Sequence, residues 1–468
     1  MPVPSDAAFA TIGELGAGLR NREYTAVELA EFTLDRAEQI GPRFNAVVTV
    51  TRERALREAA AADDAFRRGR DLGPLHGIPY GVKDLLSTEG YPTTWGAAPF
   101  RDQQIDADAT VVQKLTAAGA VLAAKLSMVE IAGGLGYQQA NASFTGPGLN
   151  PWSPDRWSGG SSSGPGSAVS AGIVPFAIGS ETWGSILTPA AYCGITGLRP
   201  TYGRVSRQGA MALSWTMDKL GPMARSAEDC ETVLEAIAGF DPADDSSVDR
   251  NYAPARREEN RPWRIATLQG AIERVQPEVA ENFRRSVDVF RSLASVEEAP
   301  FPSELPANAV ADVIISCEGA AAFESLVADG RIEQMTAEED RWRIWPDLMI
   351  PATDYIRALR VRRLLQKQLA EFFSGFDAIL APSLNTVAGP IDQPFHVWSS
   401  GFSSTPLSGA SNAAGLPAVC LPNGFGADGL PTALQLVGGA YTEDRLLLIG
   451  REYQARTDWH RRHPEMTP

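Results

Sequence analysis

A chain of 468 residues is long enough for two or three average domains or one large α/β domain, and 44% hydrophobic with 21% charged residues excludes fibrous, collagenous and disordered classes. Its 57 acidic against 42 basic residues leave a net charge of -15, which repels nucleic-acid phosphates and anionic membranes, so neither is an expected partner. Cys193, Cys230, Cys317 and Cys420 contain no C-x-x-C pair and form neither a zinc pattern nor a dense disulfide framework, so they read as small buried apolar residues.

Residues 1–10 carry no basic or apolar leader pattern, and the most apolar stretch, 168–178, is interrupted by Ser, Gly and Pro, so a cytoplasmic protein without a membrane span is expected. Thr25-Ala-Val-Glu28 is a capping box, and Val27, Ala30, Leu34 and Ala37 recur at helical spacing until Gly41-Pro42 stops the run. A β-branched strand at 45–50 and an Ala- and Arg-rich helix at 53–67 follow. A turn at Gly73-Pro74 then leads into a short apolar strand, 78–82, that ends at Lys83. Asp108 is placed to cap a helix over 110–118, Gly119 ends it, and 121–124 is apolar; this order predicts a parallel α/β connection, with chemistry in loops at strand ends.

Residues 152–157 read as a loop, and 157–166 become Gly- and Ser-rich. After the apolar stretch a second Gly-Ser turn follows at Gly184-Ser185, and the two turns are expected to lie close together. Polar, charged and Pro-containing residues at 241–261 read as a surface loop. Strand 265–268, helices at 277–293 and 354–373, strands 378–381, 418–421 and 432–437, and a helix from 442 continue the alternation, with no repeat of fixed period.

Only five of the basic residues are lysines: Lys83, Lys114, Lys125, Lys219 and Lys367. Lys83 ends a strand too apolar to leave a charge well solvated, and a buried lysine has its pKa pushed below about 10.4 and can serve as a base near neutrality, as arginine cannot. The competing reading is a solvated Lys83 paired with Asp84, and this residue alone leaves the two level. The run Ser158-Gly-Gly-Ser161-Ser-Ser-Gly164 offers hydroxyls on a backbone free to turn tightly, and its direct passage into apolar sequence favours burial over a linker. In Gly184-Ser185 a serine follows a glycine, with consecutive backbone N–H groups that can bind an oxyanion. Of the four histidines, His460 and His463 lie in a polar tail and His76 reads as support for the Lys83 strand. Gly160-Ser-Ser162-Ser-Gly164 formally fits the G-x-S-x-G elbow with His396 as its base, but that motif requires a strand ahead of the serine.

The spacing of Lys83, Ser161 and Ser185, with Gly-Gly-Ser-Ser-Ser-Gly, Gly-Ser-Ile and Pro189-Ala-Ala-Tyr-Cys-Gly-Ile-Thr-Gly-Leu-Arg-Pro-Thr201, resembles the amidase signature family. The resemblance extends to Gly73-Pro-Leu-His-Gly-Ile-Pro, Asn150-Pro-Trp152, Phe376-Asp-Ala-Ile-Leu-Ala-Pro and Gly429-Leu-Pro-Thr-Ala-Leu-Gln-Leu-Val437, nearly the whole chain. It implies an α/β fold, a single α/β/α domain over 1–468 around a large twisted mixed sheet, with its catalytic core at about 73–226. It also implies Ser185 as nucleophile, Ser161 as the family's cis-serine relaying a proton, and Lys83 as neutral base. The backbone of Thr182, Trp183, Gly184 and Ser185 would form the oxyanion hole, and no metal or organic cofactor is implied.

Four departures qualify this picture. Glu181-Thr-Trp-Gly-Ser-Ile-Leu187 stands where many members read Asp-Thr-Gly-Gly-Ser-Ile-Arg. Trp183 is thereby set beside the nucleophile, lining the pocket or packing in the core. Gly133, Gly134, Leu135 and Gly136 replace a more polar loop that lines the acyl site in relatives, and are read as substrate-binding residues that leave room. The expected function is a serine hydrolase, an amidase cleaving C–N bonds of a small-molecule amide through an acyl-enzyme. Urethanase-like activity on carbamates, an esterase activity and a homodimer are open extensions. The main rival is the A subunit of a tRNA-dependent amidotransferase, which releases ammonia from glutamine and works with partner proteins. Leu187 and the Gly-rich loop weigh against it, because glutamine's charged head favours polar or cationic groups. A catalytically dead binding protein would not need Lys83, Ser161 and Ser185 together.

Overall fold

The central strands are buried on both faces, and Val121–Leu126, Ala378–Pro382 and Pro431–Val437 accordingly read as largely apolar runs rather than as alternating patterns. The structure is a computed structural model that describes residues 2–256, 262–403, 406–426 and 428–466, so part of the expected 241–261 loop, 257–261, lies outside the described residues. In chain order the strands are β1 Val47–Val50, β2 Pro79–Lys83, β3 Val121–Leu126, β4 Leu149–Asn150, β5 Ser153–Trp157, β6 Phe176–Glu181, β7 Thr196–Arg199, β8 Lys219–Ala224, β9 Trp263–Leu268, β10 Ala294–Ala299, β11 Ala378–Pro382, β12 Ala418–Phe425 and β13 Pro431–Val437. Eleven of them form one mixed sheet in the order β1-β3-β2-β6-β8-β7-β12-β13-β11-β9-β10, and β4 with β5 makes a separate hairpin. The stretch 152–157, expected as a loop, is therefore largely strand.

Successive residues of a strand point to opposite faces. Tyr80, Phe176, Ile178, Val419, Leu421, Leu434 and Leu436 enter one apolar cluster. Ala177, Ala381, Ala418, Cys420, Ala433 and Val437 enter the other. Helices cover both: Ala26–Gln39, Arg52–Arg67, Ala227–Ile237 and Pro277–Arg291 on the first face, Ser163–Ser170, Leu187–Cys193, Ala307–Ala328 and Ala352–Phe372 on the second. The result is a three-layer α/β/α arrangement. Small residues on the second face allow close approach. A Cβ at Gly179 would stand 3.0 Å from Ser162 Oγ, so glycine there lets the serine turn lie directly on β6.

The capping box at Thr25 forms as expected, starting the helix Ala26–Gln39. Asp108 does not cap the helix Thr110–Ala117; its carboxylate instead receives both terminal nitrogens of Arg54 and the Glu89 N–H. Parallel pairing of β2 with β3 and with β6 meets the expected connection. β6 then pairs antiparallel with β8, setting Glu181 opposite Lys219. Cys193, Cys230 and Cys420 are buried and Cys317 is half-buried, all as free thiols. Among the described residues no helix is long and apolar enough to cross a membrane.

Candidate active site

Lys83, Glu181 and Lys219 occupy the same end of three adjacent strands, β2, β6 and β8. Lys83 is wholly buried, and its Nζ lies 2.7 Å from Ser161 Oγ and 2.9 Å from Ser180 Oγ. Burial pushes its pKa down to about 7, against the opposing pull of the Asp218 and Glu181 carboxylates. Asp84 does not pair with it: that carboxylate faces Lys125 at 2.9 Å, a buried ion pair below the site. The competing reading of Lys83 as a solvated partner of Asp84 therefore fails.

The Gly160–Ser161 peptide bond is cis. Next to it, the Ser162 N–H donates to the Ser185 carbonyl at 3.2 Å, which ties the two serine turns together. Ser161 and Ser185 share no direct hydroxyl hydrogen bond among the described residues. Ser162, the elbow serine, is buried with its hydroxyl donating to the Ser180 carbonyl, while His396 is exposed on the short helix Phe395–Trp398. Strand β5 does precede the turn, yet among the described residues no histidine is hydrogen-bonded to Ser162, so the elbow is left without its base. His76 is buried against Phe66 and accepts from the Leu72 N–H; no contact to Lys83 is formed among the described residues.

Gly184 adopts φ +89°, the left-handed turn for which glycine is suited. Among the described residues, no protein acceptor engages the N–H groups of Trp183, Gly184 or Ser185. Glu181 explains how the turn tolerates its departures. One carboxylate oxygen receives the N–H groups of Ile186 and Leu187, at 2.9 and 3.0 Å, and the other receives Arg199 at 2.8 Å. Burial alone would raise this carboxyl, but Arg199 and Lys219 hold it below its ordinary range. Thr182 Oγ1 donates to Asp218 at 2.6 Å, and Asp218 also accepts from the N–H groups of Leu213 and Ser214.

A cavity of about 330 Å³ opens over Ser185. Gly133, Gly134, Leu135 and Gly136 line one side, with Thr182 and Trp183 beside the serine. Trp183 is half-buried and takes both anticipated roles, since its ring lines the cavity, packs on the second core and donates from Nε1 to Ser408 at 3.0 Å. Leu187 does not line the cavity; it is buried in the second core. The far wall carries Arg343 and Asp347, from the segment just ahead of the helix Ala352–Phe372. Arg343 lies against Gly136, where a Cβ would stand 2.8 Å from its Cζ, and among the described residues it forms no ion pair. Burial raises the Asp347 carboxyl while Ser316 and Arg343 draw it back. The expected apolar site is thus half right: the loop is small and apolar, and charge enters from a segment some 200 residues downstream. Ser180, Asp218, Arg343 and Asp347 were not anticipated. Ser180 was within reach, three residues beyond Ala177 on an apolar strand; Arg343 and Asp347 carry no local pattern.

The amidase family profile matches residues 28–447. The chain is 38% identical to the A subunit of the glutamyl-tRNA(Gln) amidotransferase of Methylococcus capsulatus, over 97% of this chain and 98% of that one. Among solved structures it is similar to a chain from a vestigial protein complex bearing on the origins of an s-triazine catabolic enzyme, with TM-score 0.88 and 30% identity over 96% of this chain and 99% of that one. It is also similar to the peptide amidase of Stenotrophomonas maltophilia, with TM-score 0.83 and 30% identity over 97% and 98%. Sheet order, paired serine turns and family profile agree, and the chain belongs to the amidase signature family.

Proposed function

We propose that this chain, as a single domain, breaks the C–N bond of a small carboxamide by acyl transfer to Ser185, and that the substrate carries a carboxylate, as glutamine does. Ser185 attacks the carbonyl, and its proton passes through Ser161 to the neutral Lys83 amine. The tetrahedral oxyanion is held by the N–H groups of Trp183, Gly184 and Ser185 with those of the Thr182 turn. Lys83 returns the proton through Ser161 to the leaving nitrogen, which departs as ammonia. Water then cleaves the acyl-enzyme by the reverse relay. The short Lys83–Ser161 contact and the lowered lysine pKa support this assignment.

One observation carries the substrate class: Arg343, half-buried in the cavity wall, forms no direct ion pair among the described residues and acts on the carboxylates of Asp347 and Asp340 only at a distance. With Asp347 nearby, the wall suits a carboxylate and an ammonium group together. This favours the reading as an amidotransferase A subunit, working with partner proteins, over a urethanase-like amidase acting on carbamates or esters. The name of the Methylococcus capsulatus relative points the same way. The -15 net charge leaves tRNA contact to a partner.

The test compares ammonia release from glutamine, glutaramate and butyramide, with a carbamate and an ester alongside. Arg343→Ala should raise KM for the two carboxylate-bearing amides by about tenfold or more and leave butyramide unchanged. Where the chain is silent without partners, protection of Ser185 from a fluorophosphonate by glutamine, and not by butyramide, reads the same preference. Faster turnover of the carbamate, with no selective effect of Arg343→Ala, would restore the urethanase reading.

A further inference from the structure

Lys219 is a second fully buried lysine at the site, and the acyl-transfer chemistry does not use it. It opens β8, opposite Glu181, and its Nζ donates to the Thr182 carbonyl at 3.3 Å and to Asn412 Oδ1 at 3.1 Å. Glu181 already has Arg199 as its direct partner at 2.8 Å. Among the described residues no direct ion pair joins Lys219 to Glu181, so beyond its distant pull on that carboxyl the Lys219 Nζ is directed at the turn.

The Thr182 carbonyl and the Trp183 N–H belong to one trans peptide, so they point in opposite directions. An Nζ–H donor that holds the carbonyl on the sheet side turns the N–H away from the sheet, toward the cavity that Trp183 lines. The next residue is gripped from the same source. Asn412 and Ser408 stand one turn apart on the helix Leu407–Ala413, and Ser408 accepts the Trp183 Nε1–H at 3.0 Å. Asn412 Nδ2 in turn donates to the Ser408 carbonyl at 3.0 Å, which fixes its amide with the oxygen toward Lys219. One helix thus fastens both the peptide and the ring of the oxyanion turn.

We propose that Lys219, held by Asn412, is a positioning residue that orients the Trp183 N–H as a donor of the oxyanion hole. The inference rests on the acyl-transfer reading and names a part of it that the serines and Lys83 do not provide. A carbonyl left unanchored can rotate its peptide, and the donor is then misaimed just as charge develops.

The test uses the full chain and two readouts. The first is the rate at which a fluorophosphonate labels Ser185, because its phosphoryl oxygen takes up charge in the oxyanion hole. The second is the concentration of glutarate that protects the serine, which reports ground-state binding only. Lys219→Met keeps the stem and removes the donor; it should slow labelling by about 10- to 100-fold, less than or equal to outright loss of an oxyanion donor, with glutarate protection changed by about twofold or less. Lys219→Gln, which keeps an N–H donor, should recover much of the rate. If Lys219→Met does not fold, Asn412→Ala supplies the same comparison, since it loosens the Lys219 Nζ without removing it. Unchanged labelling in a folded Lys219→Met variant overturns the inference, as does equal weakening of labelling and protection, which marks a general collapse of the pocket. Labelling of a Ser185→Ala chain at wild-type rate would instead sink the acyl-transfer reading itself.

Discussion

The place where β2 ends fits Lys83 for the proposed role of base. A lysine at the last position of a wholly buried strand loses its hydration, and the two carboxylates that could restore its charge, Asp218 and Glu181, do so only in part. With its pKa at about 7, the rate of Ser185 acylation should rise as pH is raised through that value, and Lys83→Arg should be no better than Lys83→Ala. Linkage gives a second measurement. Between about 7 and the unfolded value near 10.4 the unfolded chain keeps a proton that the folded lysine has released, so this group's contribution to stability rises with pH across that window. Lys83→Met should therefore be inactive yet more stable than wild type at pH 6.5 by about 2–4 kcal/mol, an advantage that shrinks toward pH 10. Denaturant unfolding at both pH values checks it; a variant less stable at pH 6.5 would show that the lysine is charged and satisfied. Lys83, Ser161 and Ser185 were singled out because hydroxyls and a scarce lysine sat in distinctive runs, and their expected roles came from the family resemblance; the structure places Lys83 Nζ against Ser161 and ties the two serine turns together. Leu187 misled for the converse reason. Its position next to the nucleophile is sequential, whereas its side chain points into the core.

At the scale of elements, the catalytic turn is secured by the start of the helix Leu187–Cys193. Glu181 accepts the first N–H groups of that turn with one oxygen, where a helix start favours negative charge, and pairs with the fully buried Arg199 through the other. Removing one partner of a buried pair leaves the other charge uncompensated. Glu181→Gln should cost about 3–5 kcal/mol of stability by chemical denaturation. A loss under about 1 kcal/mol would mean that Arg199 is sufficiently held by the Leu416 carbonyl and the Ser411 hydroxyl, its other two acceptors. The strands that sequence did reveal are those with long apolar runs. β4, β5, β7, β8 and β10 escaped notice: β4 and β5 form a short hairpin in sequence that reads as a loop, β7 and β8 carry Arg199 and Lys219 inside buried strands, and β10 is an exposed edge with Glu297 and Glu298. The helix Ala307–Ala328 was missed because small apolar residues are spread around it and leave no single stripe to detect.

Across the whole molecule the two halves of the cavity rest on ground of unequal stability. Lys83, Ser180 and the Ser185 turn hang from β2 and β6 in the middle of the sheet, where every strand residue is buried. Arg343 joins the short helices Glu338–Trp342 and Ile344–Leu348 and Asp347 stands on the second, among side chains left in solvent: Trp342 is 55%, Trp345 53% and Met349 80% exposed. Segments with few buried apolar contacts open locally at a fraction of the global unfolding free energy, while central strands exchange only when the whole domain unfolds. On the proposed function, the reacting groups stand on the more stable ground and the wall proposed to meet the substrate's charge on the less stable. In hydrogen exchange, amides of β2, β6 and β8 should be protected to the global limit, and those of 338–348 should exchange early. Glutarate, seated against Arg343, should slow exchange at 338–348 selectively. Low urea should accordingly raise KM for glutaramate before it lowers kcat. Exchange at 338–348 as slow as in β6, or glutarate protection spread evenly over the chain, would mean that both walls form one cooperative unit and that substrate charge is met by a rigid site.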